Sequence, residues 1–153
     1  MTPGSSEKII GGRTQMNRPR LWLTTGAACG FVTVALGAFG AHGLRDLVSP
    51  ERLANWATAT DYLGLHAIAI LACGLWLLQR PDDRLVHRAA GAFLVGILLF
   101  SGSLFALVLT NQRAIGMITP MGGLLLLAGW GLLVAGARGV RMRSAADSRP
   151  GAD

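Results

Sequence analysis

Charge is scarce in this chain. Only 14% of its 153 residues are Asp, Glu, Lys or Arg, against about 25% in a soluble globular domain. Apolar residues make up 52%. That balance argues against an ordinary water-soluble fold and points to lipid. Lysine is scarcer still: Lys8 stands alone, and the other thirteen basic residues are Arg. The net charge is +6, but the basic residues sit in short groups between long apolar runs. No basic helix or aromatic RNA-binding motif accompanies them, so no nucleic-acid partner is expected. Their expected role is to set topology beside anionic lipid.

Cysteine is limited to Cys29 and Cys73. Both lie in apolar segments, with no CxxC and no ligand cluster. They read as small buried hydrophobes, not as a disulfide or metal framework. Catalytic signatures are missing too: there is no HExxH, GxSxG or P-loop. No catalytic residue, metal or cofactor is assigned.

Uninterrupted apolar runs are plentiful. Residues 21–41, 62–78, 89–110 and 114–137 contain no Asp, Glu, Lys or Arg. A hydrocarbon core of about 30 Å needs about 20 helical residues. The first, third and fourth runs meet that length. The second is short, but "SPERLANW" supplies Ser49 as an N-cap and Pro50 as the first helical residue, so its helix starts earlier. An alternative reads "RPRLWLTTGAAC" as a secretory or lipoprotein signal ending at Cys29. The apolar run before Cys29 is too short for that, Gly26 stands where such signals carry Leu, and the run continues past the cysteine.

With four spans both termini share one side. Eleven of the fourteen basic residues fall there, leaving Arg45, Arg52 and Arg113 on the other. The positive-inside rule places both termini in the cytoplasm. The expected organisation is a disordered lead over residues 1–15, a four-helix transmembrane domain over 16–143, and a disordered tail over 144–153. Met16 is an alternative start. The expected fold is an all-α integral membrane four-helix bundle.

Glycine explains how the rods would meet. Gly26, Gly30, Thr33, Gly37 and Gly40 align on one face of the first span. Gly96 joins a similar seam on the third span, and Gly122 and Gly129 one on the fourth. Helices in lipid associate through close packing, which small residues permit. Leu or Ile at Gly30 or Gly37 is therefore expected to split or distort the bundle. Trp130 lies deep in the last span and reads as a packing residue.

Polar groups within lipid mark functional candidates. His42, Asp61, Tyr62, His66, Ser103 and Thr119 all fall in the extracytoplasmic half. The leading reading is structural, with His66 and Ser103 bonding between helices. The second is a shallow outward-facing pocket for a small molecule, lipid or quinone headgroup anchored by His66. An ion or proton path would want carboxylates inside the spans, and there are none. A metal or haem held by His42 and His66 would have too few ligands.

Four motifs appear in order: "GAFGAHGL", the Trp56-to-His66 pattern "W.TA..Y...H", "LFSGSL" and "ITPMGGLLLLAGW". Together they resemble the YgdD-like family of small bacterial inner-membrane proteins, a family of unknown function with eukaryotic transmembrane relatives. The resemblance runs from about Met16 to Ala137. The segment before Met16 and the basic tail depart from it. It implies a four-helix integral membrane protein and brings no activity, cofactor or catalytic residue. The expected function is that of a non-enzymatic scaffold or accessory protein of the bacterial inner (plasma) membrane. Its expected partners are the lipid bilayer and a second copy or another membrane protein. The alternative is a small transporter, channel or lipid-binding or small-molecule-binding module.

Overall fold

A computed structural model describes the backbone of residues 5–139 and the side chains from residue 19 onward. Its elements, in order, are α1 (Ser5–Phe39), a π turn (Gly40–Leu44), α2 (Pro50–Gln79), α3 (Arg84–Thr110), a 3-10 turn (Arg113–Ile118) and α4 (Thr119–Arg138). Among the described residues, four helical stretches are long and apolar enough to cross a membrane: Pro19–Leu44, Pro50–Gln79, Arg84–Thr110 and Arg113–Arg138. Backbone bonds closed within each helix are what lipid demands, because no water is present to satisfy stray N–H and C=O groups.

The boundaries follow local chemistry. Ser49 caps α2: its hydroxyl accepts from the Arg52 N–H, and Pro50 takes the first turn, where a missing N–H costs nothing. The Asp83 carboxylate caps α3, accepting from Leu85 N at 3.1 Å and Val86 N at 3.2 Å. Asn111 ends α3 in the left-handed region, φ 58°, and its N–H closes on Leu107 O. Pro120 sits in the first turn of α4, an N-terminal position that tolerates proline.

The backbone is helical from Ser5, so the later part of the expected lead continues α1. Pro19 interrupts the hydrogen-bond ladder at the start of the apolar stretch. The expected tail at 144–153 and residues 1–4 lie outside the described residues.

Packing follows chain order: α1 lies on α2, α2 on α3 and α3 on α4. The outer helices bury little, 11% and 17% of their apolar windows against 44% and 33% for α2 and α3. The core gathers Ile70, Cys73 and Leu77 from α2 with Val86, Phe93 and Ile97 from α3. Trp22 and Leu126 close it from α1 and α4. A smaller cluster of Leu44, Trp56 and Val108 fills the other end.

Close backbone approach is clearest at two glycines. A Cβ at Gly26 would stand 2.8 Å from Leu71 N on α2. One at Gly122 would meet the backbone of Phe100 on α3, 2.8 Å from its Cα. Gly96 faces Leu126, Gly129 faces the Phe93 ring, and Gly40 faces the Trp56 indole. Gly37 has ordinary contact, 3.6 Å from Thr60 Cγ2.

Gly30 is a correction to the expected seam. Among the described residues nothing stands within 4 Å of a Cβ built there, so there is no close helix contact at Gly30. The stripe in α1 contains small residues throughout, but α2 approaches closely only at some of them. A side chain at Gly30 is therefore not expected to split this fold.

Candidate functional site

His66 lies on α2 one turn after Tyr62, and it is 2% exposed. Its Nδ1 is 2.8 Å from the Tyr62 carbonyl oxygen. Its Nε2 is 3.2 Å from the Trp130 indole nitrogen on α4. An indole N–H can only donate, and a carbonyl can only accept. Nε2 is therefore the acceptor, and Nδ1 carries the proton and donates to Tyr62 O. Both ring nitrogens are engaged. His66 has no lone pair left for a metal and none to take a proton from a substrate unless one of these bonds breaks.

Aromatic rings hold that geometry in place. Phe93 packs 5.4 Å from His66 and 5.2 Å from Trp130, between ring centres. The Tyr62 ring stacks on Phe100 at 4.4 Å. Offset and edge-on arrangements of this kind add specific geometry to plain area burial. A largely apolar cavity of about 580 Å³ borders these rings, with Tyr62, His66, Phe100, Pro120, Leu127 and Trp130 among its walls.

Ser103 and Thr119 join α3 to α4. The Ser103 hydroxyl donates to Phe100 O at 2.9 Å, which spends its only proton. The 2.7 Å contact with Thr119 Oγ1 is therefore donated by Thr119. The result is one bond within α3 and one from α4 to α3, a common way for a hydroxyl to join helices in a membrane bundle.

The six candidate residues do not form one site. Tyr62 and His66 line the aromatic cavity, and Ser103 and Thr119 form their own clasp. Asp61 faces a different cavity, between α1 and α2. His42 is exposed in the π turn and borders neither cavity. The sulfurs of Cys29 and Cys73 are free. No group of three or more His, Cys, Asp or Glu among the described residues could hold a metal.

Several partners were not visible in the sequence. Trp130 reads there as a packing residue, and its hydrogen bond to a histidine 64 positions earlier has no local signal. Trp22 likewise donates to Nδ1 of His87 at 2.9 Å, joining α1 to α3. Arg52 counts in the sequence only toward orientation. In the structure its guanidinium donates to the Val108 carbonyl near the C-terminus of α3, where a cation suits the helix dipole.

Four apolar helices of spanning length among the described residues, tied by His66–Trp130 and Ser103–Thr119 contacts, define an integral membrane protein. The comparisons agree. The family described as "Protein of unknown function (DUF423)" matches residues 36–123. The chain is 43% identical over 116 residues to a UPF0382 membrane protein of Haemophilus influenzae, covering 76% of this chain and 92% of that one. It is 37% identical over 118 residues to the UPF0382 inner membrane protein YgdD of Escherichia coli K12, covering 77% and 89%. A UPF0382 membrane protein of Staphylococcus haemolyticus is 37% identical over 115 residues, covering 75% and 93%. No solved structure matches the chain. The chain belongs to this DUF423/UPF0382 family of membrane proteins of unknown function, as the four motifs imply.

Proposed function

We propose that the protein is a non-enzymatic helical scaffold or accessory protein of the bacterial inner membrane, with both termini in the cytoplasm. It associates with a second copy or with another membrane protein. One observation supports this reading best: two polar contacts at depth tie helices together, His66 to Trp130 and Ser103 to Thr119. His66 has both nitrogens engaged, and Thr119 donates to Ser103, which donates to Phe100 O. Such groups hold helices together. The orientation rests on the excess of Arg at the two ends and in the loop between α2 and α3.

Crosslinking in native membranes, followed by pull-down of the full chain, tests the role. A defined homo-oligomer or a stoichiometric membrane-protein partner is the expected result. Recovery of an uncrosslinked monomer alone, across crosslinkers of different reach, overturns it. Reporter tags at both ends are expected to read out cytoplasm, and a split result overturns the orientation.

A second reading has one specific feature in its favour. The cavity of about 580 Å³ beside His66 and Trp130 is large enough for part of a small molecule or lipid. Native mass spectrometry of gently extracted protein separates the readings. A retained small molecule lost in His66→Ala favours the pocket.

A further inference from the structure

The cavity between α1 and α2 is separate from the aromatic one. It measures about 380 Å³ and includes Gly37, Gly40, Arg45, Trp56, Thr60 and Asp61 among its lining residues. Four of its lining side chains are polar, and two are already committed. The Trp56 indole donates to Leu36 O at 2.8 Å, and the Thr60 hydroxyl donates to Trp56 O at 2.9 Å. Arg45 and Asp61 remain. Neither side chain makes a hydrogen bond or ion pair within the described residues, to the other or to any third group.

Asp61 lies on a helix of spanning length, about 16 Å along it from Pro50 at 1.5 Å per residue. It is exposed and stands just before the charge-free run 62–78, where a carboxylate can meet a lipid headgroup. Arg45 follows the π turn at the end of α1. Arg45, from the turn after α1, and Asp61, from α2, both line the same groove. Gly37, Gly40 and Ala41 leave the α1 wall of the groove almost without side chains.

We propose that this groove binds the headgroup of a phospholipid bearing a primary amine, of the phosphatidylethanolamine type. The Arg45 guanidinium takes the phosphate, and the Asp61 carboxylate takes the ammonium. One cation and one anion select a ligand that is itself zwitterionic. An anionic phosphatidylglycerol would complement Arg45 but leave Asp61 unmatched. A phosphatidylcholine would match both charges, but its quaternary nitrogen has no N–H to donate to a carboxylate. The small-residue wall and the Trp56 face accept the glycerol end. This site does not rest on the scaffold role proposed above, and it holds for either leaflet.

The test uses the delipidated full chain in mild detergent. It is mixed with equal amounts of phosphatidylethanolamine, phosphatidylcholine and phosphatidylglycerol carrying the same acyl chains, and bound lipid is counted by native mass spectrometry. The ethanolamine lipid is expected to exceed the other two by roughly tenfold, the scale of one charge-assisted hydrogen bond. Asp61→Asn is expected to remove that preference and Asp61→Glu to keep it. Arg45→Gln is expected to lower uptake of all three. Equal uptake by the wild-type chain overturns the proposal, as does an undiminished preference in Asp61→Asn. Should Asp61→Asn not fold, Asp61→Glu decides: loss of the preference there overturns the site. Free phosphoethanolamine in millimolar excess is expected to leave the lipid bound. Displacement by it assigns the groove to a soluble amine phosphate and overturns the lipid.

Discussion

Trp130 on α4 donates its indole N–H to Nε2 of His66 on α2, at 3.2 Å. The two helices are not sequence neighbours, and α3 supplies Phe93 against both rings. A single histidine thus links three helices through one bond and two ring contacts.

That link can be measured by a double-mutant cycle. Trp130→Phe keeps most of the ring and removes the bond. His66→Ala is expected to cost about 2–4 kcal/mol, since it removes a buried ring as well as its bonds. The coupling between the two positions is expected at about 0.6–1.7 kcal/mol, the range for hydrogen bonds between membrane helices. Reversible unfolding in mixed micelles reads both quantities. A coupling of zero means that the bond adds nothing beyond ring packing.

Glycines that look alike in sequence are expected to behave differently. Gly122→Ala pushes a methyl against the Phe100 backbone, which has no rotamer to swing away. A loss of about 1–3 kcal/mol is expected, as for other overpacked sites. Gly30→Ala meets nothing within 4 Å and is expected to change stability by less than about 0.5 kcal/mol. Thermal unfolding in detergent, followed by helix content, compares the two. Equal losses at both positions would show that Gly30 meets a surface outside the single chain.

Asn111 ends α3 at φ 58°, a conformation that Asn and Gly adopt readily and β-branched residues resist. Asn111→Gly is expected to be nearly neutral. Asn111→Val is expected to cost about 1–2 kcal/mol, by forcing a branched side chain into left-handed backbone. The same thermal unfolding assay reports the order, and a Val variant as stable as the Gly variant removes the strain argument.

Much of the fold was legible because lipid imposes simple rules. A run free of charge and about 20 residues long must cross as a helix, since backbone groups find no water there. Ser49, Pro50 and Pro120 act locally, within a turn or two, so their positions predict where helices begin. The candidate site was less legible. Helical periodicity puts His42, Asp61 and His66 at related depths, but it does not say which way each helix is turned. Asp61 and Tyr62 are adjacent in sequence, yet the rotation of about 100° per residue along α2 sends them to different cavities.

By itself, the sequence determined that this protein spans a membrane with four helices, where most of them start, and which residues are small enough to let helices touch. Those properties depend on transfer energies and local sterics, which are set residue by residue. Only the tertiary structure decided that α1 meets α2 closely at Gly26 and not at Gly30, and that Trp130 is the partner of His66. It also decided that Arg45 and Asp61 share a groove without pairing. Each of these depends on how two helices are rotated against one another, and that rotation is fixed by packing over their whole length.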